Sequence, residues 1–343
     1  MMKKITILAF LMSSALLSNS LAAVMAPQAS AHHSNNSVNY SAPVTPVNRI
    51  VAIVNNDVIT QTQLDQQMAV VKSQLHQHHV ALPSNQELAQ QVLNQLINRQ
   101  LQLQLAERNH IQASNQDINQ AIQTIAQQNQ TTPAQIYQQQ ATNGLNRQAF
   151  RQEVRDDIIV QKLQQAVMSS QITITPQEVQ NYIQRTQGSP QARKQYHLAD
   201  ILVALPSAPT PKQISNAEQR ADRLVAQLRH GANFQQLAAA QSGAQNALKG
   251  GDLGWLALGE IPDAFESAVA ALKPGNIAGP IRTGNGFHII KLLGERTPAA
   301  TQTTTTALQK QQAEQALFQS KMLEALQGWI SQLRAQAYIK IMK

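Results

Sequence analysis

The residues able to carry chemistry are few, and histidines stand out among them. The chain has no cysteine, which excludes disulfides, thiolate metal sites and a cysteine nucleophile. His76 and His79 are spaced to face one side of a helix, but no carboxylate accompanies them, so we favour a solvated helix end over a metal site. His288 lies between apolar neighbours near the end of a compact stretch. No metal and no cofactor is predicted.

The elements that must position His288 belong to residues 196–296, whose pattern differs from the rest of the chain. This stretch opens with a strand-like run at 197–203 and contains a glycine-rich segment at 250–255. Two further strand-like runs close it, and the second of them carries His288. Helices are predicted from Pro211 to Arg229, from Asn233 and from Pro262. The predicted order is strand, helix, helix, glycine turn, short helix, strand, strand.

Many helices of this chain begin with the same local pattern. A serine or threonine is followed three residues later by Glu, Asp or Gln, which is typical of a capping box. Apolar residues then recur at helical spacing, whereas the opposite faces are mostly Gln and Asn, so these helices must be held by packing against one another. The five predicted boxes are Ser84 with Glu87, Ser114 with Asp117, Thr132 with Gln135, Thr175 with Glu178 and Thr210 with Gln213.

Two isolated strand signals lie far apart in the sequence, at residues 49–54 and 337–341. An unpaired strand edge is a liability, so we predict that these two strands pair with each other. The long helix before the second strand then packs with the amino-terminal helices. One helical domain is thereby built from both ends, and the compact stretch is attached to it through two linkers.

The amino terminus has the features of a secretory signal: Lys3 and Lys4, then an apolar run, then small residues for cleavage at Ser20-Leu21-Ala22. Ala29-Ser30-Ala31 is a later alternative cleavage site. An uncleaved anchor is the alternative, but the run is too short to span a membrane. The predicted division is 1–22 signal peptide, 23–46 disordered lead-in, 47–186 helical domain, 195–296 compact module, 297–306 linker, and 307–343 helix and strand completing the helical domain.

Composition narrows the function classes. Hydrophobic residues make up 43% and aromatic residues 4%, which indicates an aliphatic core. The formal net charge is +8, but the Lys and Arg residues are scattered, which argues against a nucleic-acid-binding face. A Gly-x-x-x-x-Gly-Lys phosphate loop is absent, which permits a function that does not use ATP.

Five pieces of the compact module resemble the parvulin family of peptidyl-prolyl isomerases, and their order makes the resemblance specific. The flanks are similar to the SurA family of periplasmic chaperones, at Val54-Asn55-Asn56 after the first strand, at 174–179 and at 335–341. The five pieces are Asp200-Ile201-Leu202-Val203, Gly250-Gly251-Asp252-Leu253-Gly254-Trp255, Pro262-Asp263-Ala264-Phe265, Gly279-Pro280-Ile281 and Gly286-Phe287-His288-Ile289-Ile290.

The resemblance implies an α+β protein: a mainly helical domain plus one parvulin domain, a small antiparallel sheet with surrounding helices. It implies that Leu253, Ile261 and Phe265 form a pocket for the substrate proline. Without the resemblance, these three side chains read as ordinary core.

The resemblance also implies a polar catalytic cluster containing Thr283 and His288. Asp200 stands where parvulins usually have a second histidine, and Ala244 stands where they usually have Cys or Asp. The candidate catalytic residues are therefore His288, Asp200 and Thr283, and the two departures predict weak isomerase turnover.

The implied function is an ATP-independent periplasmic chaperone for unfolded outer-membrane proteins and other exported polypeptides. The alternative is a fully active peptidyl-prolyl isomerase acting on exported proteins. We expect a monomer with no nucleic-acid partner and no stable membrane insertion. Well-known family members carry two parvulin modules, whereas this sequence has room for one.

Overall fold

The computed structural model describes residues 48–142, 145–186, 194–297 and 306–342. The predicted signal peptide and lead-in, and most of both predicted linkers, lie outside the described residues. Within these ranges, no helix combines the length and the apolar character that a membrane crossing requires.

The chain folds into a helical body and a module with its own sheet, in keeping with the expected α+β class. Before the module come β1 (Ile50–Val54), β2 (Asp57–Thr60), α1 (Gln61–Gln77), α2 (Asn85–Arg108), α3 (Asn115–Gln128), α4 (Pro133–Thr142), α5 (Arg147–Gln171) and α6 (Pro176–Thr186). The module contains β3 (Gln195–Ala204), α7 (Pro211–Arg229), α8 (Phe234–Gln241), β4 (Asp252–Ala257), α9 (Asp263–Ala270), β5 (Ile277–Arg282) and β6 (Gly286–Arg296). After it come α10 (Thr306–Ala335) and β7 (Ile339–Ile341).

Local capping fixes the helix starts. At the start of α2, Ser84 Oγ accepts from the Glu87 N–H at 3.2 Å, and the Glu87 carboxylate accepts from the Ser84 N–H at 3.1 Å. All five predicted pairs make this reciprocal contact. A sixth box, Thr60 with Gln63 at the start of α1, was not predicted.

The two ends of the described chain meet in one sheet, as the sequence predicts. Its strand order is β2-β1-β7, and β7 runs antiparallel to β1 with Ile53 opposite Lys340. Ile339 packs against the buried cluster that α1, α2 and β1 share. Helix α10 leads into β7 and buries Trp329 and Ile330 against α2 and α5. The helical body is therefore a product of both ends of the chain.

The module is built on a four-stranded antiparallel sheet of order β4-β3-β6-β5. One predicted element is wrong: the glycine turn at 250–255 is a turn only at its beginning, and Asp252–Ala257 forms the edge strand β4. Its glycines suggested a continuous turn. However, Trp255 pairs with His197 and Leu256 with Tyr196, so the side chains between the glycines follow the strand alternation.

Glutamine side chains attach the module to the helical body in addition to the linkers. Gln91 of α2 donates its Nε2 to the Ala240 carbonyl at the end of α8, at 2.9 Å. In the other direction, Gln236 Nε2 donates to the Leu82 carbonyl at 3.0 Å. Carbonyls at helix ends and in loops lack partners within their own element, so these amides satisfy groups that would otherwise need water.

Apolar contacts reinforce the same attachment. Ala239 and Leu248 of the module are buried within the hydrophobic cluster of the helical body. Tyr182 of α6 lies against Gly259, where a Cβ would overlap its ring. The module is therefore docked on the helical body in this structure.

An ion pair between Lys321 and Glu178 ties α10 to α6, with Nζ and Oε1 2.7 Å apart. This hydrogen bond, followed by the Thr175 backbone N–H, lowers the pKa of the Glu178 carboxyl from 4.5 to about 2. Because the folded pKa is depressed, the contribution to stability is present above about 4.5 and lost as pH falls through about 2.

We expect Glu178→Gln to lower stability at pH 7 by no more than about 1 kcal/mol, since both partners are more than a third exposed. The amide keeps an acceptor for the Thr175 N–H, so the helix cap survives. Thermal melts of both proteins at pH 7 and near pH 2 check the prediction. An undiminished difference near pH 2 would show that the effect does not come from the carboxylate charge.

Candidate functional site

The polar side of the candidate site is formed by two adjacent strands. Asp200 lies on β3 and His288 on β6, where Leu202 pairs with His288 and Asp200 with Ile290. The two side chains meet between these rungs, with His288 Nδ1 2.9 Å from Asp200 Oδ2. Both residues are buried, at 5% and 6% exposure. Asp200, where the resemblance to parvulins implies a second histidine, is thus in direct contact with His288.

Asn285 completes this polar cluster, and it was missed in the sequence. Its Oδ1 lies 3.0 Å from His288 Nε2 and accepts a hydrogen bond from the Thr283 hydroxyl. Thr283 therefore reaches His288 through Asn285. The available signal was a polar amide between Gly284 and Gly286, three residues before the histidine. A loop of such small residues brings that amide back onto the ring.

Hydrogen-bond chemistry links the state of His288 to the orientation of Asn285. The carboxylate of Asp200 can only accept, so Nδ1 carries a proton. If Asn285 presents Oδ1 to Nε2, the ring carries both protons; if the amide turns over, Nδ2 donates to a neutral ring. In the orientation observed, Asn285 Nδ2 and Asp200 Oδ1 are buried without a hydrogen-bond partner among the described residues.

The predicted apolar residues share one cluster, which adjoins the histidine through Phe265. Ile261 and Phe265 are buried, and Leu253 packs against them half-buried. The Phe265 ring lies beside His288, with centroids 4.8 Å apart. The structure therefore brings both predicted groups together. Burial of Ile261 and Phe265 also fits the core alternative, so their role as a proline pocket stays a prediction.

Ala244 contributes no side-chain hydrogen bond to this region. It is buried at 8% exposure, and its N–H donates to Ser242 Oγ at 3.2 Å. The same hydroxyl accepts from the Leu202 N–H at 3.0 Å. Ser242 is thus occupied with backbone groups, and the described hydrogen bonds of the histidine ring go to Asp200 and Asn285.

A cleft of about 600 Å³ runs beside the polar cluster, between the module and the helical body. Gly284 and Asn285 form its module side. Its other side comes from α10 and from the end of α5 with the residues that follow it. These lining residues are Gln171, Ile172, Thr173, Lys321, Glu324, Ala325 and Gly328.

This arrangement suits rotation about an amide bond. That rotation faces a barrier of about 18–20 kcal/mol and breaks no covalent bond. A site needs only to hold the substrate and to favour the twisted amide over either planar form. An apolar surface beside buried donors and acceptors can do this without a nucleophile.

The other histidines considered from the sequence lie elsewhere. His76 and His79 are exposed at the end of α1, and His79 Nδ1 is 3.3 Å from the His76 carbonyl. In the ranges that the structure describes, no group of three or more side chains is placed to hold a metal ion.

Two family models match the chain in separate regions. The SurA N-terminal domain matches residues 47–164, and the PPIC-type PPIASE domain matches residues 200–294. The second match contains every candidate site residue, including Asp200, His288 and the missed Asn285.

Individual relatives agree with these matches. The "Chaperone SurA" of Nitrosococcus oceani is 38% identical over 252 residues, which cover 73% of this chain and 59% of the relative. The "Chaperone SurA" of Pseudomonas fluorescens is 39% identical over 256 residues, covering 75% and 60%. The chain thus spans about three fifths of the length of these relatives.

One solved structure of a SurA-like chaperone from Campylobacter jejuni is 14% identical and covers 86% of this chain and 100% of its own. Its TM-score is 0.38, so this likeness adds nothing to the fold described above.

Proposed function

This chain is of the SurA type, with a SurA N-terminal domain and a parvulin-type peptidyl-prolyl isomerase domain, and on that premise we propose that it is an ATP-independent chaperone of the periplasm. It holds unfolded outer-membrane proteins and other exported polypeptides and assists their folding and assembly. It works as a monomer, without a nucleic-acid partner and without inserting into the membrane.

One observation carries the proposal: the isomerase module is docked on the helical body, and both line a single cleft beside the polar cluster. A segment held in that cleft touches both parts at once. Outer-membrane proteins consist of strands with alternating apolar residues. Such strands need shielding in water, and the glutamine-rich outer faces of the helices keep the holder itself dissolved.

The proposal includes weak isomerase turnover. Asp200 occupies one side of His288 with a carboxylate, and Ala244 adds no hydrogen bond. Ile261 and Phe265 are nearly inaccessible, at 1% and 6% exposure, because other module side chains pack around them. A substrate proline must displace part of this packing before it reaches the ring of Phe265.

The second candidate function is a fully active isomerase for exported proteins. The contact between Phe265 and His288 favours it, because the predicted apolar and polar halves of the site adjoin. The two candidates differ in what they require of these residues. The chaperone needs an intact body and cleft, whereas the isomerase needs the site itself.

Phe265→Ala and His288→Ala test this difference. We expect both variants to keep the ability to suppress aggregation of an unfolded outer-membrane protein. We expect both to lose the small acceleration of prolyl isomerisation of a peptide, which is measured by NMR exchange. Lys212→Ala, an exposed change on α7, serves as the control in both assays.

Circular dichroism of each variant shows that the fold persists, because truncating a buried phenylalanine costs about 3–5 kcal/mol. Loss of aggregation suppression in folded His288→Ala would favour the isomerase candidate. Wild-type turnover equal to that of an ordinary isolated parvulin would remove the claim of weak activity.

A further inference from the structure

Exposed apolar side chains gather at one place in the described part of the chain. The large hydrophobic residues that are exposed there are Ile50, Val58, Tyr338 and Ile341, at 38%, 44%, 61% and 42%. All four lie in, or next to, the sheet of order β2-β1-β7. This sheet buries its other face in the helical body. Its outer side and its β7 end are therefore the most apolar exposed region described.

The outer edge of β7 offers hydrogen bonds that nothing described uses. The Tyr338 carbonyl accepts from the Asn55 N–H, and the Met342 N–H donates to the Val51 carbonyl, so both residues face β1. Backbone groups alternate along a strand, so the N–H and C=O of Ile339 and Ile341 point away from β1. No described residue bonds to them. Unpaired groups of this kind are a template for another strand.

Side-chain positions on β7 set which strand fits. Ile339 and Ile341 lie on the inner face, whereas Lys340 lies on the outer face beside Ile53 and Val58. A strand added at this edge therefore lies beside Ile339, Lys340 and Ile341, which are apolar, cationic and apolar in turn. Like charges placed directly opposite in a sheet are destabilising. A second copy paired about Lys340 would place two lysines opposite each other, so self-pairing is disfavoured.

We propose that the outer edge of β7 binds an extended polypeptide segment as a fourth strand of this sheet. The preferred segment has an acidic residue opposite Lys340 and apolar residues on either side. Main-chain hydrogen bonds supply the affinity and the alternating side chains supply the selectivity, as in other cases of strand addition. The choice of an unfolded exported chain as the natural source rests on the proposed chaperone function.

The first experiment uses a short, fluorescein-labelled peptide whose centre reads Val-Asp-Val, together with a Val-Lys-Val twin. We expect the wild-type protein to bind the acidic peptide about two- to fivefold more tightly, because one cross-strand charge pair changes the affinity by that amount. Fluorescence anisotropy measures both affinities. Lys340→Glu is expected to reverse the preference without touching the β1 hydrogen bonds.

Hydrogen exchange followed by NMR shows whether binding occurs at the edge. We expect the amides of Ile339 and Ile341 to become protected when the acidic peptide is added, while the amide of Lys340 is unchanged. Ile341→Pro removes an outward N–H and no bond to β1, a position at which a strand tolerates proline. That variant is expected to stay folded and to lose peptide binding.

Each alternative outcome overturns the proposal. Peptide binding without protection at Ile339 and Ile341 would place the peptide elsewhere. Protection that rises with protein concentration alone, together with dimers in sedimentation, would show that a second copy is the occupant. A protein that suppresses aggregation but shows no edge protection contradicts this inference alone, whereas a protein that also fails to suppress aggregation contradicts the proposed function.

Discussion

Replacing Trp329 with alanine is expected to lower the free energy of unfolding of the helical body by about 3–5 kcal/mol. Trp329 is buried at 7% exposure and packs with Ala106, Leu163 and Met168, so its ring joins α10 to α2 and α5. Folded domains have only about 5–15 kcal/mol to lose. Because α10 leads into β7, loss of the Trp329 ring also weakens the pairing of β7 with β1, which joins the two ends of the helical body.

The tryptophan content of the chain makes this measurement selective. There are two tryptophans, Trp329 in the body and Trp255 in the module. In Trp329→Ala, fluorescence reports the module through Trp255, while far-ultraviolet circular dichroism reports mostly helices. We expect the helical transition to shift to lower urea. The module should follow it in part, because Ala239 and Leu248 are buried in the core of the body.

Trp255→Ala is the matched control for Trp329→Ala. Trp255 is half-buried, stacked on His197 with centroids 5.1 Å apart and covered by the Arg296 guanidinium. Removing the Trp255 ring should lower the free energy of unfolding by less than removing the Trp329 ring. It should leave the helical transition at nearly the same urea concentration. Equal shifts for the two variants would mean that α10 does not hold the body together as described.

Capping and closure of the helical body were predictable because the rules involved are local. Capping boxes depend on residues three positions apart, and apolar stripes recur every three or four residues. The pairing of β7 with β1 was predictable by a different argument, since both strands otherwise lacked a partner. The antiparallel register that places Lys340 opposite Ile53 follows from the structure alone.

Docking of the module was not predictable from the same rules. Gln91 and Gln236 resemble the many other glutamines on these helices, and a glutamine amide can bind any carbonyl or water. Their partners, the carbonyls of Ala240 and Leu82, lie about 150 residues away in sequence. No local sequence pattern marks such a pair. In the sequence, a glutamine that joins the module to the helical body therefore cannot be told from one that faces solvent.

The contacts around His288 were predictable where the family motifs supply the positions, although Asp200 itself departs from the usual histidine. Asp200, His288 and Phe265 are brought together as the resemblance implies. Asn285 was missed because its part depends on the loop geometry that turns its amide onto the ring. Strand β4 was predicted as a turn because several glycines lie close together there. In the structure Gly251 lies in the turn that precedes β4, whereas Gly254 lies within the strand at φ +77°.

Gly251→Ala is expected to be a strongly destabilising single-methyl change in the module. Gly251 has φ +79°, and a Cβ there would collide with the carbonyl oxygen of Asp200. The left-handed conformation costs an alanine about 1–2 kcal/mol, and the overlap with rigid backbone adds about 1–3 kcal/mol. Relief of the overlap must move β3 at Asp200, which carries the carboxylate away from His288.

Gly254→Ala separates conformational strain from collision. Gly254 has φ +77°, but a Cβ there meets nothing within 4 Å. This variant should therefore lose only the 1–2 kcal/mol that a left-handed alanine costs, and the NMR signals of the His288 ring should stay in place. In Gly251→Ala those signals should shift together with a larger fall in melting temperature. Equal effects in the two variants would mean that the backbone at Asp200 moves away from the added methyl group at little cost in free energy. The contact between Gly251 and β3 would then not help to place the Asp200 carboxylate against His288.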